Sequence, residues 1–564
     1  MNRFKTLSTF FFLLIISGIL LFCINLSQKK LDAMVQEHEL HFTGQISNAP
    51  PLVVFTTVAL GSFRGLIADM LWVRAINLQD QGNYFELVQL ANWITELQPQ
   101  FSGGIVYLGW NMAYNISVTC SSRDDRWRWV MEGIRLLRDK ALVYNPTDPV
   151  IYKDLAWIFQ HKIGDMYDDH NRFYKSKWAK IVQDIITAEP DWALMTTVPR
   201  GAKAFMEKYG KDHKLWKILD KAGYKSYTEL YDAFLANGNQ LPEIVKEAFK
   251  INEEPELEKE LDASFRSELL YNNLKLDASF IGELHKRYGE LDWRFPESQT
   301  IYWASMAVKL SGDRIDVNTE RLIIYGLANS FKNGRLLMVD TNDFDFTYSV
   351  PNLNVCDALL KHYTDLDEKY KKGSSIINAR VNFLKDAVER FYVSGKIERA
   401  KELYAELVKA RPFNYQHVSI DDFVLGETVN TIEMAVAEEM LEVINQNLFV
   451  GYISAAFGDY DAAQARERLA RFAYAKYQST LPTEEMKRRS GLPPFTTLKL
   501  VTYAMALQSF PDNARARLQS YASANDPDLK GLNAEEALAL AQQRLDEMHA
   551  EQQAIGQQDK RPEK

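Results

Sequence analysis

Five side chains able to share a ligand stand within one short stretch, "QHKIGDMYDDHNRFYK": His161, Asp165, Asp168, Asp169 and His170. Zinc takes imidazole and carboxylate, and harder cations take several converging oxygens. Either use needs ligands repeated along one helix face or wrapped around a loop, and no such spacing is present. Gly164 marks a turn between helices, so the stretch is expected to be a solvated loop whose Asp168 or Asp169 caps the helix that follows. "DTNDFDF" carries Asp340, Asp343 and Asp345 but lacks the glycine and the distal glutamate of a calcium loop. "HELH", with His38 and His41, falls one residue short of the HExxH zinc spacing. The phosphate-cradling GxxxxGK[ST] loop, the dinucleotide GxGxxG turn and the GxSxG nucleophile elbow do not occur. The expectation is a chain with no catalytic residues, no metal and no cofactor, hence not an enzyme.

The whole chain constrains what could position such residues. At 564 residues, 46% hydrophobic and 25% charged, it is long enough for several domains or one extended array, and most of it should fold. Eleven tryptophans and 27 tyrosines imply large apolar surfaces between elements. A net charge of −9 argues against nucleic acid as a partner, which needs a basic face to displace phosphate counterions. Cys23, Cys120 and Cys356 form no CxxC pair; at most Cys120 and Cys356 could join, and free thiols are expected.

At the N-terminus, Arg3 and Lys5 precede "TLSTFFFLLIISGILLFCINL", residues 6–26, without a single charge. About 20 residues at 1.5 Å each match a hydrocarbon core of roughly 30 Å. Phe22 to Leu26 offer no small-residue cleavage site, and Phe22 is too bulky to precede a lipidated Cys23. Residues 1–30 are therefore expected to be an uncleaved single-pass transmembrane anchor, with a cleaved signal peptide as the alternative. Lys29 and Lys30 nearly balance Arg3 and Lys5; the orientation expected places the bulk of the chain outside the cytoplasm.

Beyond a polar stalk over residues 31–57, helical periodicity takes over. Phe63, Ile67, Met70 and Leu71 share one face, Gly82 interrupts, and Leu87, Leu90, Ala91, Ile94 and Leu97 share another before Pro99. "GKIERAKELYAELVKARP" repeats the arrangement, with Gly395 and Pro412 again seventeen apart and Ala400, Tyr404 and Leu407 on one face. "FGDYDAAQARERLARFAYAKY" is a third version, with Gly458, Tyr460 and Ala463 but no closing proline. These stretches resemble the tetratricopeptide repeat family, a 34-residue helix-turn-helix unit with Gly, Tyr, Ala and Pro at set offsets. Residues 68–101 and 381–414 fit full units, and residues 444–477, which include Gly451, a weaker one; elsewhere the period drifts. The resemblance implies an all-α superhelix of helical hairpins, a solenoid whose concave face binds peptides or proteins.

The expected organisation is an anchor (1–30), a stalk (31–57), N-terminal repeats (58–199), an α-helical insertion (200–290), C-terminal repeats (291–480), further helices (481–546) and a polar, disordered tail (547–564). The one non-helical stretch expected is a small hairpin within 335–350. Stacked hairpins should turn their first helices inward, so Trp72, Asn111, Asn115, Lys153 and Trp157 are expected to line one trough for a protein or peptide partner. Tyr107, Asn111 and Asn115 fall at i, i+4, i+8, as do Lys153, Trp157 and His161. In "RWRWV", Trp127 is expected to pack inside with Val130, Ile134, Leu137 and Ala141, leaving Trp129 exposed. The function expected is a membrane-anchored scaffold in a cell-envelope complex. The alternatives are a glycan-acting enzyme built as an α/α toroid, and a passive structural component of the envelope.

Overall fold

The computed structural model describes residues 15–20, 22–23, 26–27, 29–30, 63–99, 101–312, 317–338, 347–370, 374–428, 437–481, 483 and 492–558. The described chain is helical almost throughout, so the all-α class holds. The expected hairpin at 335–350 is also present: β1 (Arg335–Met338) pairs antiparallel with β2 (Thr347–Val350), Leu336 opposite Ser349. Asp340, Asp343 and Asp345 lie outside the described residues, as do His38 and His41. Among the described residues no helix is long and apolar enough to cross a membrane, and residues 6–14 of the charge-free run lie outside them.

Two compact units divide the chain. One is drawn from Met1–Gly109 and Arg135–Thr147, the other from Trp110–Ile134 and Asp148–Lys564. In the first, the helices Phe63–Asp80 and Tyr84–Leu97 form a hairpin. Ala68, Ala75 and Leu78 face inward against Leu87, Leu90, Ala91 and Ile94. On the opposite side of Phe63–Asp80, Leu66, Met70, Val73 and Ile76 are exposed among Asp69, Arg74 and Asn77.

The second unit holds the other two hairpins, Ser374–Val393 with Ile397–Ala410, and Ala437–Ala456 with Tyr460–Thr480. All three hairpins turn by one device. Gly82, Gly395 and Gly458 sit at φ 71°, 77° and 86°, a backbone region costly for any residue with a Cβ. Each glycine N–H donates to the carbonyl three residues back: Gln79 at 3.1 Å, Tyr392 at 3.0 Å and Ala455 at 3.0 Å. The next N–H donates five residues back, to Leu78 at 2.9 Å, Phe391 at 2.9 Å and Ser454 at 2.8 Å. This double closure satisfies carbonyls that a helix end would otherwise leave bare. Gly223 and Gly238 repeat it between the short helices Lys214–Lys221, Tyr227–Ala236 and Glu243–Ile251.

The glycines differ in what surrounds them. A Cβ on Gly82 or Gly458 would meet nothing within 4 Å, so at Gly82 the requirement is φ alone and not contact with the partner helix. A Cβ on Gly395 would stand 2.7 Å from the Asp461 carbonyl oxygen, because the second hairpin's turn is pressed onto the start of Tyr460–Thr480. Lys396 Nζ meets Asp461 Oδ2 at 2.8 Å across the same junction. Gly451 lets the third hairpin's helices close up, its Cβ direction 3.3 Å from the Ala463 carbonyl oxygen. Pro412 opens the short helix Pro412–Tyr415 at its first position, where a missing N–H costs nothing. Cys23, Cys120 and Cys356 are all free thiols.

Candidate functional site

Two helices change their winding, and both of the turns concerned lie in the second unit. Ser102–Asn111 runs on into a π-helical turn at Met112–Ile116, and Pro149–Trp157 into another at Ile158–Gly164. The second helix starts firmly: Asp148 accepts from Val150 N–H at 2.9 Å, and Pro149 stands at the first position. A π turn takes an extra residue, leaves the i−4 ladder and rotates the side chains beyond it; such turns occur often at functional sites.

Their side chains build a stack of rings. Trp110 lies 5.2 Å from Tyr114 in near-parallel planes, and Tyr114 lies 5.7 Å from His161. His161 in turn stacks on Trp157 at 5.0 Å and 10°, and on Tyr167 at 5.1 Å and 23°. Trp157 is 40% exposed and Tyr167 77%, and Met166 beside them is exposed as well.

Beneath the rings the polar groups are buried. Lys162 Nζ and Asp168 Oδ2 meet at 2.6 Å, both side chains more than nine-tenths buried. The ammonium also lies 5.4 Å from the centre of the Tyr114 ring. Burial alone would raise the Asp168 carboxyl. The hydrogen bonds from Lys162 and from His170 N–H outweigh it and hold the group below its ordinary value. Tyr174, wholly buried, is pushed up by burial and by the Asp168 charge. Burial raises Asp154 to about 6 against the pull of Lys153, and Tyr114 is raised by burial and by Asp154. His161 Nδ1 and Gln160 Oε1 are sealed without a hydrogen-bond partner among the described residues.

The expectation of a solvated loop at 161–170 is thus corrected for Lys162 and Asp168. Charges seldom go inside unless paired, and these two are paired across the turn. Among the described residues no group of three His, Cys, Asp or Glu side chains is placed to hold a metal. What the arrangement offers is a rigid ring surface, open on one side and fixed from behind by an ion pair.

Of the trough residues expected from sequence, Asn115 and Trp157 are exposed on this part of the molecule. Asn111 is 2% exposed, and its Oδ1 accepts from Asn115 Nδ2 at 2.7 Å, so it holds Asn115 rather than meeting a partner itself. Lys153 is half-buried. Trp72 belongs to the other unit, where its ring packs over Gly104 and lies 6.1 Å from Tyr107. Trp129 is buried and Trp127 half-buried, stacked on Tyr174 at 5.8 Å, the reverse of the expectation.

The chain matches no family model, no curated protein and no solved structure.

Tyr167 and Met166 were not foreseen as part of the site. A tyrosine and a methionine between aspartates, in "DMYDD", are apolar bodies held at the surface by charged neighbours, and that composition is the available signal. The two π turns leave none.

Proposed function

We propose that this chain is a membrane-anchored helical-repeat scaffold, similar in build to tetratricopeptide repeat proteins, that docks a protein or peptide partner within a cell-envelope complex. The observation that carries the reading is the exposed ring stack of Trp157, His161 and Tyr167, with Met166 beside it. Tryptophan, tyrosine and methionine are the side chains enriched where proteins bind one another, and an aromatic group fixed from behind loses little entropy on binding. Asn115, held by Asn111, adds an amide that can donate to and accept from a backbone. The repeat reading is supported by the shared glycine turn and by the second hairpin seated on the third. The anchor reading is supported by the charge-free run at residues 6–26.

Two measurements test the proposal. The full chain should recover its partner from an envelope extract, and so should Phe413→Ala, which removes an exposed ring elsewhere. Trp157→Ala with Tyr167→Ala should lose the partner while helicity stays unchanged. Equal recovery by all three forms rejects the ring stack as the docking surface. Separately, the full chain should float with lipid vesicles after a high-salt wash, and a form lacking residues 1–30 should not.

A further inference from the structure

A cleft of about 570 Å³ lies elsewhere in the second unit, between two loops and β1. Pockets of roughly 300–1,000 Å³ suit a peptide segment or small ligand. The two loops carry the same pattern, Glu189-Pro190-Asp191-Trp192 and Glu290-Leu291-Asp292-Trp293. Each is entered through left-handed backbone, at Thr187 (φ 70°) and Gly289 (φ 89°). The two tryptophans lie 6.0 Å apart and are 8% and 0% exposed. Trp293 Nε1 donates to His285 Nε2 at 2.9 Å, so the indoles are fixed in the floor.

The opposite wall is β1. Leu336 N–H donates to Asp292 Oδ2 at 3.0 Å, and the Leu336 carbonyl accepts from Arg294 Nη2 at 3.1 Å. Arg294 forks onto Asp292 at 2.8 and 2.7 Å and reaches Gln183 Oε1 at 3.0 Å. Asp292 and Arg294 therefore cancel each other and hold the strand in place. Asp191 lends one oxygen to Leu194 N–H at 2.9 Å. The carboxylates of Glu189 and Glu290 and the Arg335 guanidinium are engaged by no other described residue. The lining that remains is three carboxylates against one guanidinium, beside Leu337 and Met338.

We propose that this cleft receives an extended polypeptide segment bearing a lysine or arginine. The basic side chain would lie between Glu189 and Glu290, with its apolar neighbours along Leu337 and Met338. A cleft whose remaining charge is mainly negative concentrates cations, and an ammonium or guanidinium can donate to more than one carboxylate at once. A sugar is the poorer fit because both tryptophans are buried and offer no exposed face for a ring. Phosphate-bearing ligands would meet like charge. The inference stands on observations separate from the ring stack, so either can fail without the other.

The test uses the full chain in detergent micelles and a fluorescein-labelled hexapeptide alternating lysine with valine, read by anisotropy. The parent should bind it, and Glu189→Gln with Glu290→Gln should bind at least about tenfold more weakly, as loss of charge-assisted hydrogen bonds implies. Glu398→Gln with Glu535→Gln removes the same net charge at exposed positions elsewhere and should bind as the parent does. Equal weakening by the two pairs would mean that the peptide answers only to net charge, and would overturn the proposal. So would failure of the parent to bind, or preferential binding of an uncharged cello-oligosaccharide that depends on Glu189 and Glu290.

Discussion

Replacing each hairpin glycine by alanine separates two effects that the turns combine. At Gly458 the only obstacle is φ 86°, since a Cβ there meets nothing within 4 Å. Left-handed backbone costs an L-residue about 1–2 kcal/mol, and about 0.4–1 kcal/mol returns because alanine restricts the unfolded chain more than glycine does. Gly458→Ala should therefore cost about 1 kcal/mol, and so should Gly82→Ala, whose Cβ likewise finds open space at φ 71°. At Gly395 the same Cβ would press on the backbone of Asp461, with the oxygen 2.7 Å and the carbon 2.9 Å away. Neither is the end of a flexible side chain, so two hairpins must move apart, and overpacking of this kind adds about 1–3 kcal/mol. The expected total at Gly395 is about 2–4 kcal/mol. Because the chain has two units and need not unfold in one step, the suitable assay is native-state hydrogen exchange by mass spectrometry. Opening of Ile397–Ala410 should be read against opening of Tyr460–Thr480. Asparagine sharpens the test, because it tolerates left-handed backbone yet keeps a Cβ. Gly458→Asn should recover most of the loss, and Gly395→Asn little of it. Equal losses for alanine at 395 and 458 would refute the claim that the second hairpin is seated on the third.

Three further outcomes are expected. Lys162→Met or Asp168→Asn alone should lower stability by about 3–5 kcal/mol in urea unfolding, whereas Lys162→Met with Asp168→Leu should lose far less, because no lone charge is left buried. Asp154, raised by burial from 3.8 to about 6, keeps a proton that the unfolded chain has already released, so its contribution falls as pH rises from about 4 to 6. Asp154→Asn should flatten that part of the stability profile and gain up to about 3 kcal/mol at pH 7, measured by urea titrations across the window. Cys356, buried and raised to about 12, should resist iodoacetamide at pH 8 in the native protein and react once the chain is unfolded.

Much of the helical build is legible in the sequence because glycine and proline have few uses. A glycine after an apolar stripe, followed by another stripe, has the left-handed turn as its simplest reading, and Gly82, Gly395 and Gly458 all adopt it. The side-chain phase is less legible. Tyr107, Asn111 and Asn115 fall on one face only if the helix keeps 3.6 residues per turn, and the π turn at Met112–Ile116 interrupts it. Trp127 and Trp129 lie on nearly opposite sides of one helix, and both are apolar enough for the inside; packing alone chose Trp129. The Lys162–Asp168 pair depends on the path of the chain between them, which no spacing rule encodes.

The helix Phe63–Asp80 carries apolar side chains on its outer side as well as on its inner one. Leu66, Met70, Val73 and Ile76 look outward among Asp69, Arg74 and Asn77 while Ala68, Ala75 and Leu78 look inward, so the usual division of a surface helix into an apolar and a polar face is blurred. For anyone cutting the chain into pieces, this makes the first hairpin a fragment prone to clump. A recombinant segment that begins at Phe63 should be dispersed at nanomolar concentration and self-associate in the micromolar range. Mild detergent, or Met70→Lys together with Val73→Glu, should keep it monomeric, and sedimentation velocity across that range would reveal the difference.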